Sequence, residues 1–433
     1  MDPDLRLGTT KMDITPKNPM PLAGFGKRKG NFEGISAPLY CRIFLFEQTD
    51  QNGGQRRALF VSADLIWWGP ERIPRLRMIL SSRFGIQKSA IILHATHSHS
   101  GPQTTRYFTK TLGIPDPDYI HFLEAQLMTG VSEAEDNLEP VMITKVVGTS
   151  DIGINRSKMV DRQMMALPNK EGTVDPEVTV INFMSEKAQH KGMFVHYSCH
   201  PTTTADNFVS PEFPGHAVSR IEQVLGGGIV AGYLQGCCGN VRPALIRNGS
   251  FYRGTHKDAK KLGDKLANEV LSILKKSHVK RIPLTQIHSQ SVEVDLLFKR
   301  LPSLEELKKS RDEDGVLGEW SELLLQNPER LEQTIPLSIT CLKLADDLSL
   351  LAMNGEMVVE YGLYAKKMFN GQALPMGYSN GMIGYVPTAK QLSEGGYEAK
   401  ESTVYFGLPS DFSPEVEGDI KKAINQLKES ILS

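Results

Sequence analysis

The chain has 433 residues, enough for two or three domains of about 150 residues each, and 40% of them are hydrophobic. Its 49 Lys and Arg residues nearly balance 50 Asp and Glu residues, so no overall field favours nucleic acid or a membrane surface as a partner. No stretch approaches the roughly 18 uninterrupted apolar residues that span a bilayer. The five cysteines, an odd number, argue against a disulfide framework. Because the sequence also begins without a secretory signal pattern, we expect a cytoplasmic location.

Apolar and amphipathic patterns alternate along the first two thirds of the chain. Runs rich in β-branched residues predict buried strands, and apolar residues at helical spacing predict helices. Asp116 is a suitable N-cap for the first of these helices, and Gly226 is a usual stop for the second. In chain order these are the predicted strands 58–64 and 89–96, the helix 116–138, the strands 177–183 and 192–198, and the helices 216–226 and 255–277.

The last third continues the pattern after one excursion. Residues 284–297 alternate in part, which predicts a half-exposed strand, and the run LSLLAMN (348–354) predicts another buried strand. The charged, helical stretch at about 300–333 predicts an insertion or lid. The whole order predicts one α/β domain over residues 1–433, with a mixed β-sheet core and surrounding helices.

Three of the predicted strands lead into side chains that can bind metal. The strand 89–96 precedes His97 and His99, the strand 192–198 precedes His200, and the strand 348–354 precedes Glu356. Two histidines and one carboxylate are a common ligand set for catalytic zinc, which keeps one position open. Spacing alone leaves a second interpretation open, in which these are ordinary hydrogen-bonded residues at strand ends. For His94, inside the strand, we expect a structural role.

A series of separated motifs resembles the neutral/alkaline ceramidase family of zinc amidohydrolases. The motifs follow the family order over most of the chain, and their shared order is more specific than any one of them. They are KMDITP (11–16), PLAGFG (21–26), PLYCR (38–42), ATHSHSGP (95–102), INRS (154–157), HPTT (200–203), NGEM (354–357), GYVPT (384–388) and GGYE (395–398).

This resemblance implies a role for individual residues. It implies one Zn²⁺ per chain, with His97, His200, Glu356 and Tyr385 as ligands. It implies that His99 donates or accepts a proton beside the metal, and that Tyr397 and Arg156 stabilise the developing oxyanion. It also implies the fold of the family's catalytic domain, and we expect this domain without the carboxy-terminal β-sandwich of the family.

Arg242 departs from the family pattern. Family ceramidases have a serine in a Gly-Asp-Val-Ser-Pro-like motif, whereas residues 237–243 here read CCGNVRP, with Arg242 at the serine position. A guanidinium stays protonated and cannot act as a nucleophile at neutral pH. Our hypothesis is that Arg242 binds an anionic group of the substrate, since arginine suits carboxylate and phosphate. A structural salt bridge is the alternative.

The predicted activity is hydrolysis of an N-acyl amide bond by metal-activated water, a mechanism that needs no serine. The expected partner is a small-molecule N-acyl amide or a lipid-like substrate, and the sequence leaves the oligomeric state unknown. Three alternatives stay open: a metal-dependent esterase or other small-molecule hydrolase, a catalytically silent relative that binds a ligand, and a hydrolase that uses a thiolate of Cys237 or Cys238.

Overall fold

The computed structural model describes residues 4–49, 53–276 and 280–432. Its strands are β1 (Leu5–Asp13), β2 (Gly34–Ile35), β3 (Tyr40–Thr49), β4 (Gln55–Ala63), β5 (Ile91–Ala95), β6 (Glu139–Thr149), β7 (Gly153–Val160), β8 (Gln163–Asn169), β9 (Glu177–Ser185), β10 (His190–Tyr197), β11 (Phe208–Val209), β12 (Val230–Gln235), β13 (Val241–Pro243), β14 (Ile246–Arg247), β15 (Ser250–Phe251), β16 (Lys280–Ile282), β17 (His288–Leu297), β18 (Thr334–Ala345), β19 (Leu348–Met353), β20 (Glu356–Met357), β21 (Ala373–Met376) and β22 (Tyr385–Val386). Its α-helices are α1 (Ile73–Phe84), α2 (Pro117–Asp136), α3 (Glu212–Leu225), α4 (His256–Lys276), α5 (Leu304–Ser310), α6 (Val316–Gln326), α7 (Val359–Met368), α8 (Ala389–Glu394) and α9 (Val416–Leu432).

The main sheet has the strand order β12-β10-β9-β6-β1-β3-β4-β5, and the short strand β16 also pairs with β6. The β10–β12 and β4–β5 pairs are parallel, whereas the other pairs along this order are antiparallel. A mixed sheet with surrounding helices confirms the predicted α/β fold class.

Both faces of the main sheet are covered, and the sequence of strand β9 places apolar side chains on each face. Val178 and Val180 belong to the hydrophobic cluster that also contains residues of α3 and α4, while Ile181 and Phe183 belong to the larger cluster on the other side. Successive side chains of a strand point to opposite faces, so an apolar residue at nearly every position fits a strand buried on both sides.

The main sheet is so strongly curled that β12, at one end of the strand order, approaches β4 and β5 at the other end. The Ser62 hydroxyl on β4 donates to the Tyr233 carbonyl on β12 at 2.8 Å, and the backbone N–H of Gln235 donates to His94 Nε2 on β5 at 2.8 Å. The interior of this curl contains phenylalanine rings with centroids 4.8–6.3 Å apart. They belong to Phe44, Phe46, Phe60, Phe183 and Phe194.

A second sheet, in the order β17-β18-β19-β21, meets the main sheet through the loop that follows β21. Met376 at the end of β21 bridges Gly236 after β12, and Ser379 bridges His94 on β5. The carbonyl of Tyr378 accepts a hydrogen bond from the backbone of Ala95 at 3.0 Å. The carboxyl ends of strands from both sheets therefore meet at one place.

The predicted helices are present, with one shifted boundary. Helix α2 begins after Asp116, whose carboxylate accepts a hydrogen bond from the N–H of Tyr119 at 2.9 Å as an N-cap does. Helix α3 begins at Glu212, four residues before the predicted start at 216, because Pro214 lies in the first turn, where its missing N–H costs no hydrogen bond. No helix of the described ranges is long and apolar enough to cross a membrane.

The stretch 300–333 contains α5 and α6, and it packs on the loop before α9. The Trp320 indole donates to the Leu408 carbonyl at 2.8 Å, and Arg330 donates to the Phe406 carbonyl at 2.8 Å. Phe406 in turn contacts Tyr385, with ring centroids 5.9 Å apart. The predicted helical content is confirmed, and a lid role stays a prediction.

Candidate metal centre

His97 lies two residues beyond the end of β5 in a left-handed backbone conformation with φ of 65°. Such a conformation is uncommon for a residue other than glycine and is kept only where the surroundings fix it. Here the N–H of Thr96 donates to the Ala63 carbonyl and the N–H of Ser98 donates to the Leu65 carbonyl, both at 2.9 Å. The turn directs a fully buried imidazole back across the carboxyl end of the strand.

Three imidazoles converge at this end of the sheet. His97 Nε2 lies 3.0 Å from His200 Nε2 and 3.0 Å from His99 Nε2, and the remaining pair is 3.1 Å apart. His200 follows β10, and its N–H donates to the Val241 carbonyl at 3.0 Å. Residues that are 101 and 103 positions apart in sequence thus present the same ring nitrogen to one point.

The hydrogen bonds of the other ring nitrogens fix which tautomers are present. His97 Nδ1 lies 2.8 Å from the carbonyl of Ile66, and His99 Nδ1 lies 3.3 Å from the carbonyl of Gly24. A carbonyl can only accept, so each Nδ1 carries a proton, and Nε2 of the neutral ring then presents a lone pair. Burial lowers the pKa of His99 and His200 well below the ordinary value, so both rings are neutral at neutral pH.

Glu356 and Tyr385 are register partners in the short parallel pair β20–β22, so their side chains lie on one face. Glu356 Oε2 lies 3.4 Å from His97 Nε2 and 3.9 Å from His200 Nε2, and this buried oxygen has no hydrogen-bond partner. In the described residues no similar approach joins Glu356 to His99, which is also the most exposed of the three histidines at 8%. His99 therefore lies on the open side of the cluster.

This donor set fits a divalent cation. Lone pairs of neutral imidazoles and an unpartnered carboxylate oxygen face one another in a buried site, an arrangement that is unfavourable without a positive charge between them. Tetrahedral zinc with bonds of about 2.0–2.1 Å to nitrogen holds its ligand atoms about 3.3 Å apart, close to the separations found here. By their mutual Nε2 distances all three histidines fit as ligands, including His99, which was expected beside the metal, but only His97 and His200 also approach Glu356.

Arg156 joins the two tyrosines of the predicted site. Its Nη2 donates to the Tyr385 hydroxyl at 2.9 Å, and its guanidinium lies 5.6 Å from the ring centroids of both Tyr385 and Tyr397. Burial raises the pKa of both phenols above the ordinary value, although Arg156 opposes this rise. The phenols therefore keep their protons at neutral pH and can donate hydrogen bonds.

Glu398, a residue that the sequence patterns did not single out, holds Arg156 in place. Glu398 accepts a hydrogen bond from Arg156 Nε at 2.7 Å and another from the Ser157 hydroxyl at 3.3 Å. The motif GGYE could have indicated a functional role for Glu398, because this residue directly follows Tyr397 in it. Tyr378 was also missed, and its ring stacks on His97 with centroids 4.0 Å apart. Nothing in the local sequence marks Tyr378, since it reaches His97 through the loop between the two sheets.

Arg242 lies beside this cluster and is 91% buried, with a relative exposure of 9%. Strand β13 pairs with β7 so that Arg242 is opposite Ile154, which places Arg242 and Arg156 on the same face of the ladder. The Arg242 Nη2 donates to the Thr202 carbonyl at 3.3 Å. Within the described residues Arg242 has no carboxylate partner, which argues against the alternative of a structural salt bridge.

The remaining candidates lie behind the cluster. His94 is the structural residue that we expected: its Nδ1 contacts the Ser379 hydroxyl at 2.8 Å, and burial lowers its pKa to about 3. Burial also raises the pKa of the Cys238 thiol to about 12 and that of Cys237 well above the ordinary value. Both thiols are fully buried and stay protonated at neutral pH, which argues against a thiolate nucleophile.

Comparisons with known proteins find related sequences and folds. Residues 5–261 match the family described as "Neutral/alkaline non-lysosomal ceramidase, N-terminal". The neutral ceramidase of Pseudomonas aeruginosa is 24% identical over 252 residues, and that of Oryza sativa subsp. japonica is 24% identical over 230 residues. These regions cover 55% and 50% of this chain, but only 37% and 28% of those relatives.

The fold has solved counterparts. A crystal structure of neutral ceramidase from Pseudomonas aeruginosa is similar with a TM-score of 0.77 and 19% identity, and the similarity covers 100% of this chain and 75% of that one. A structure titled "Ceramidase complexed with C2" is similar with a TM-score of 0.77, 18% identity, and coverage of 99% and 75%. At these identities the likeness establishes the fold.

Proposed function

Since the chain belongs to the neutral/alkaline non-lysosomal ceramidase family, we propose that it is a zinc-dependent hydrolase that cleaves an N-acyl amide bond. The observation that carries the proposal is the convergence of His97, His200 and Glu356 on one buried point. A small-molecule N-acyl amide, lipid-like in its acyl part, is the proposed substrate.

In this proposal His97, His200, Glu356 and Tyr385 hold one zinc ion per chain. When bound, the ion would supply Lewis acidity that activates water and polarises the scissile carbonyl. The protein fixes the ligands beforehand: the Ile66 carbonyl orients His97, and the Val241 carbonyl anchors the backbone of His200.

The other residues of the site act on charge and protons. Arg156 and the neutral phenol of Tyr397 would donate hydrogen bonds to the oxygen on which negative charge develops. Glu398 holds the guanidinium in place through the bond to Nε, which leaves its other nitrogen atoms to face Tyr385 and the substrate. His99, on the open side, would accept a proton at Nε2 from the attacking water and then pass this proton to the departing amine.

Variants of His97 and His99 distinguish the two proposed roles, metal ligand and proton carrier. We expect His97→Ala to lose both bound metal and activity, because the variant removes a ligand. We expect His99→Ala to keep the metal and to lose turnover by about 10²- to 10⁴-fold, the usual size of a general-acid contribution. Elemental analysis and a chelator-sensitive screen of N-acyl compounds would measure both effects.

His121→Ala is the matched control, since His121 is an exposed residue of α2. Unchanged metal content and rate in His97→Ala would refute the site. Loss of metal from His99→Ala would instead make His99 a ligand. Matched ester and amide substrates decide the class of bond, and faster cleavage of the ester would favour the esterase alternative.

A further inference from the structure

Positive charge is unevenly balanced around the candidate metal centre. Arg156 forms an ion pair with Glu398 at 2.7 Å, and Arg28 donates to three carbonyl oxygens. Arg28, Arg242 and Arg253 have no ion pair with any carboxylate of the described residues, but Arg28 already donates from both Nη1 and Nη2 to those carbonyls. Arg242 makes one side-chain hydrogen bond and Arg253 makes none in the described structure, so these two guanidinium groups keep the most N–H groups for an incoming anion.

Arg242 is buried, but some of its N–H groups make no hydrogen bond. Its guanidinium lies 4.5 Å from the centroid of the Phe251 ring, and its buried Nε has no hydrogen-bond partner. An unpaired donor on a buried cation is costly, because water no longer solvates it. The site is thus prepared for an acceptor that the chain itself does not supply.

Arg253 approaches the centre from the side of His99. Its guanidinium lies 4.3 Å from the centroid of the Phe25 ring, and that ring lies 4.9 Å from the imidazole of His99. Unlike Arg242, Arg253 is exposed, and it has no hydrogen bond in the described structure. It can therefore meet a ligand that arrives from solvent.

Both arginines are attached to the segment that carries His200. The Thr202 carbonyl accepts a hydrogen bond from Arg242, and the Thr203 carbonyl accepts one from the N–H of Gly254, next to Arg253. These bonds hold the side chain of Arg242 and the backbone next to Arg253 against the segment that follows His200, which places both arginines on the same side of the metal centre as this ligand.

The arginines also repel one another. Burial, together with the positive charges of Arg253 and Arg156, lowers the pKa of Arg242 to about 9. Arg242 stays protonated at neutral pH, so the repulsion persists. Burial raises the pKa of Glu212, the acidic group that acts on both Arg242 and Arg253, to about 7, so this carboxyl offsets only part of the positive charge.

We propose that Arg242 and Arg253 form an oxyanion-binding subsite beside the metal centre, so that the substrate carries a carboxylate or phosphate group near its amide bond. This inference rests on the proposed function and deepens it by naming the substrate class. A guanidinium that keeps free N–H groups over an aromatic ring suits such a group better than a neutral headgroup.

The test compares two matched pairs of substrates in zinc-loaded protein. One pair is N-lauroylglycine and N-lauroylglycinamide, and the other is N-lauroyl phosphoethanolamine and N-lauroyl ethanolamine. The wild type should prefer the anionic member of at least one pair in kcat/KM. In Arg242→Met and in Arg253→Met, the anionic-to-neutral ratio for that pair should fall by roughly 10- to 100-fold, the effect of one charge-assisted hydrogen bond.

Arg247→Met is the matched control, because Arg247 lies in the neighbouring hairpin and its guanidinium stacks 4.6 Å from the centroid of the Tyr252 ring. The anionic-to-neutral ratio of this variant should equal that of the wild type. Arg253 is exposed, so its variant should fold even if Arg242→Met does not. Equal ratios in the wild type and in the Arg253→Met variant would overturn the subsite.

A binding measurement separates failure of the subsite from failure of the proposed function. Calorimetry with N-lauroylglycine on metal-free protein needs no turnover, and its Kd should rise roughly 10- to 100-fold in Arg253→Met. If the wild type binds this anion but cleaves none of the four compounds, the proposed function fails and the subsite stands. If it cleaves the neutral compounds but does not bind the anion, the subsite fails and the proposed function stands.

Discussion

At the scale of single residues, His97 and His99 show how two identical side chains two positions apart obtain different surroundings. His97 is fully buried between the Ile66 carbonyl and the Tyr378 ring. His99 faces Phe25 and Gly24, in the loop that carries the motif PLAGFG. The loop thus determines the position of the His99 ring, and a change in the loop should alter the proposed proton transfer without altering the ligands.

Gly24→Ala tests this dependence. A Cβ at position 24 would lie 2.4 Å from His99 Nδ1, too close for the ring to stay in place, and the backbone φ of 92° suits glycine. We expect metal content to be unchanged and kcat to fall at least about tenfold, because the displaced ring loses its alignment for proton transfer.

Gly30→Ala is the control for backbone strain, since Gly30 has φ of 73° and no atom within 4 Å of the added Cβ. Both variants should lose about 1 kcal/mol of stability from the left-handed conformation, but only Gly24→Ala should lose activity. Equal kcat in the two variants would mean that the position of the His99 ring has no part in catalysis.

At the scale of secondary-structure elements, the amino-terminal motifs have a structural role beside the functional one. Arg42, in the motif PLYCR on β3, is fully buried and forms ion pairs with Asp64 at 3.0 Å and with Glu222 of α3 at 2.9 Å. Lys11 of β1 contacts the same Glu222 at 2.6 Å. This network joins two strands of the main sheet to the helix that covers it.

We expect Arg42→Met to lower the free energy of unfolding by about 3–5 kcal/mol, because the variant leaves the buried Asp64 without its cation and leaves Glu222 with Lys11 alone. The control is Arg75→Met, which breaks an ion pair between the exposed Arg75 and Glu124 and should cost less than about 1 kcal/mol. Urea unfolding would measure both changes. Similar losses in the two variants would show that the network adds no more than a surface pair.

At the scale of the whole molecule, the metal centre depends on the meeting of the two sheets. His97 and His200 follow strands β5 and β10 of the main sheet, whereas Glu356 follows β19 of the second sheet. A cation bound by all three would connect the two sheets, and it would bind the folded chain only, since the unfolded chain does not hold these groups together.

Removal of the metal should therefore lower the Tm of the protein. At free metal about 1,000 times above its Kd, binding adds about 4 kcal/mol to the stability, and chelation should remove this amount. Calorimetry with and without chelator would measure the shift, and added zinc should reverse it. In His97→Ala the chelator should have no effect; an equal shift there would place the stabilising metal elsewhere.

Local patterns predicted several of the long elements and three of the candidate ligands. Apolar runs predicted five buried strands, and the positions just after three of them correctly marked His97, His200 and Glu356 as neighbours. This worked because the period of side-chain exposure and the preference of polar groups for strand ends are properties of a few consecutive residues. The start of α3 was wrong for the same reason, since Pro214 looks like a helix breaker unless it is known to lie in the first turn.

Only the tertiary structure decided what lies around those ligands. The curl of the main sheet brings β12 to β5, and the loop after β21 places Tyr378 on His97 and Ser379 on His94. The pairing of β13 with β7 decided that Arg242 shares a face with Arg156, and the loop at Gly254 placed Arg253 over Phe25. These contacts join residues that are distant in sequence, so their free energy depends on how the sheets pack. No periodic pattern in the sequence therefore predicts them.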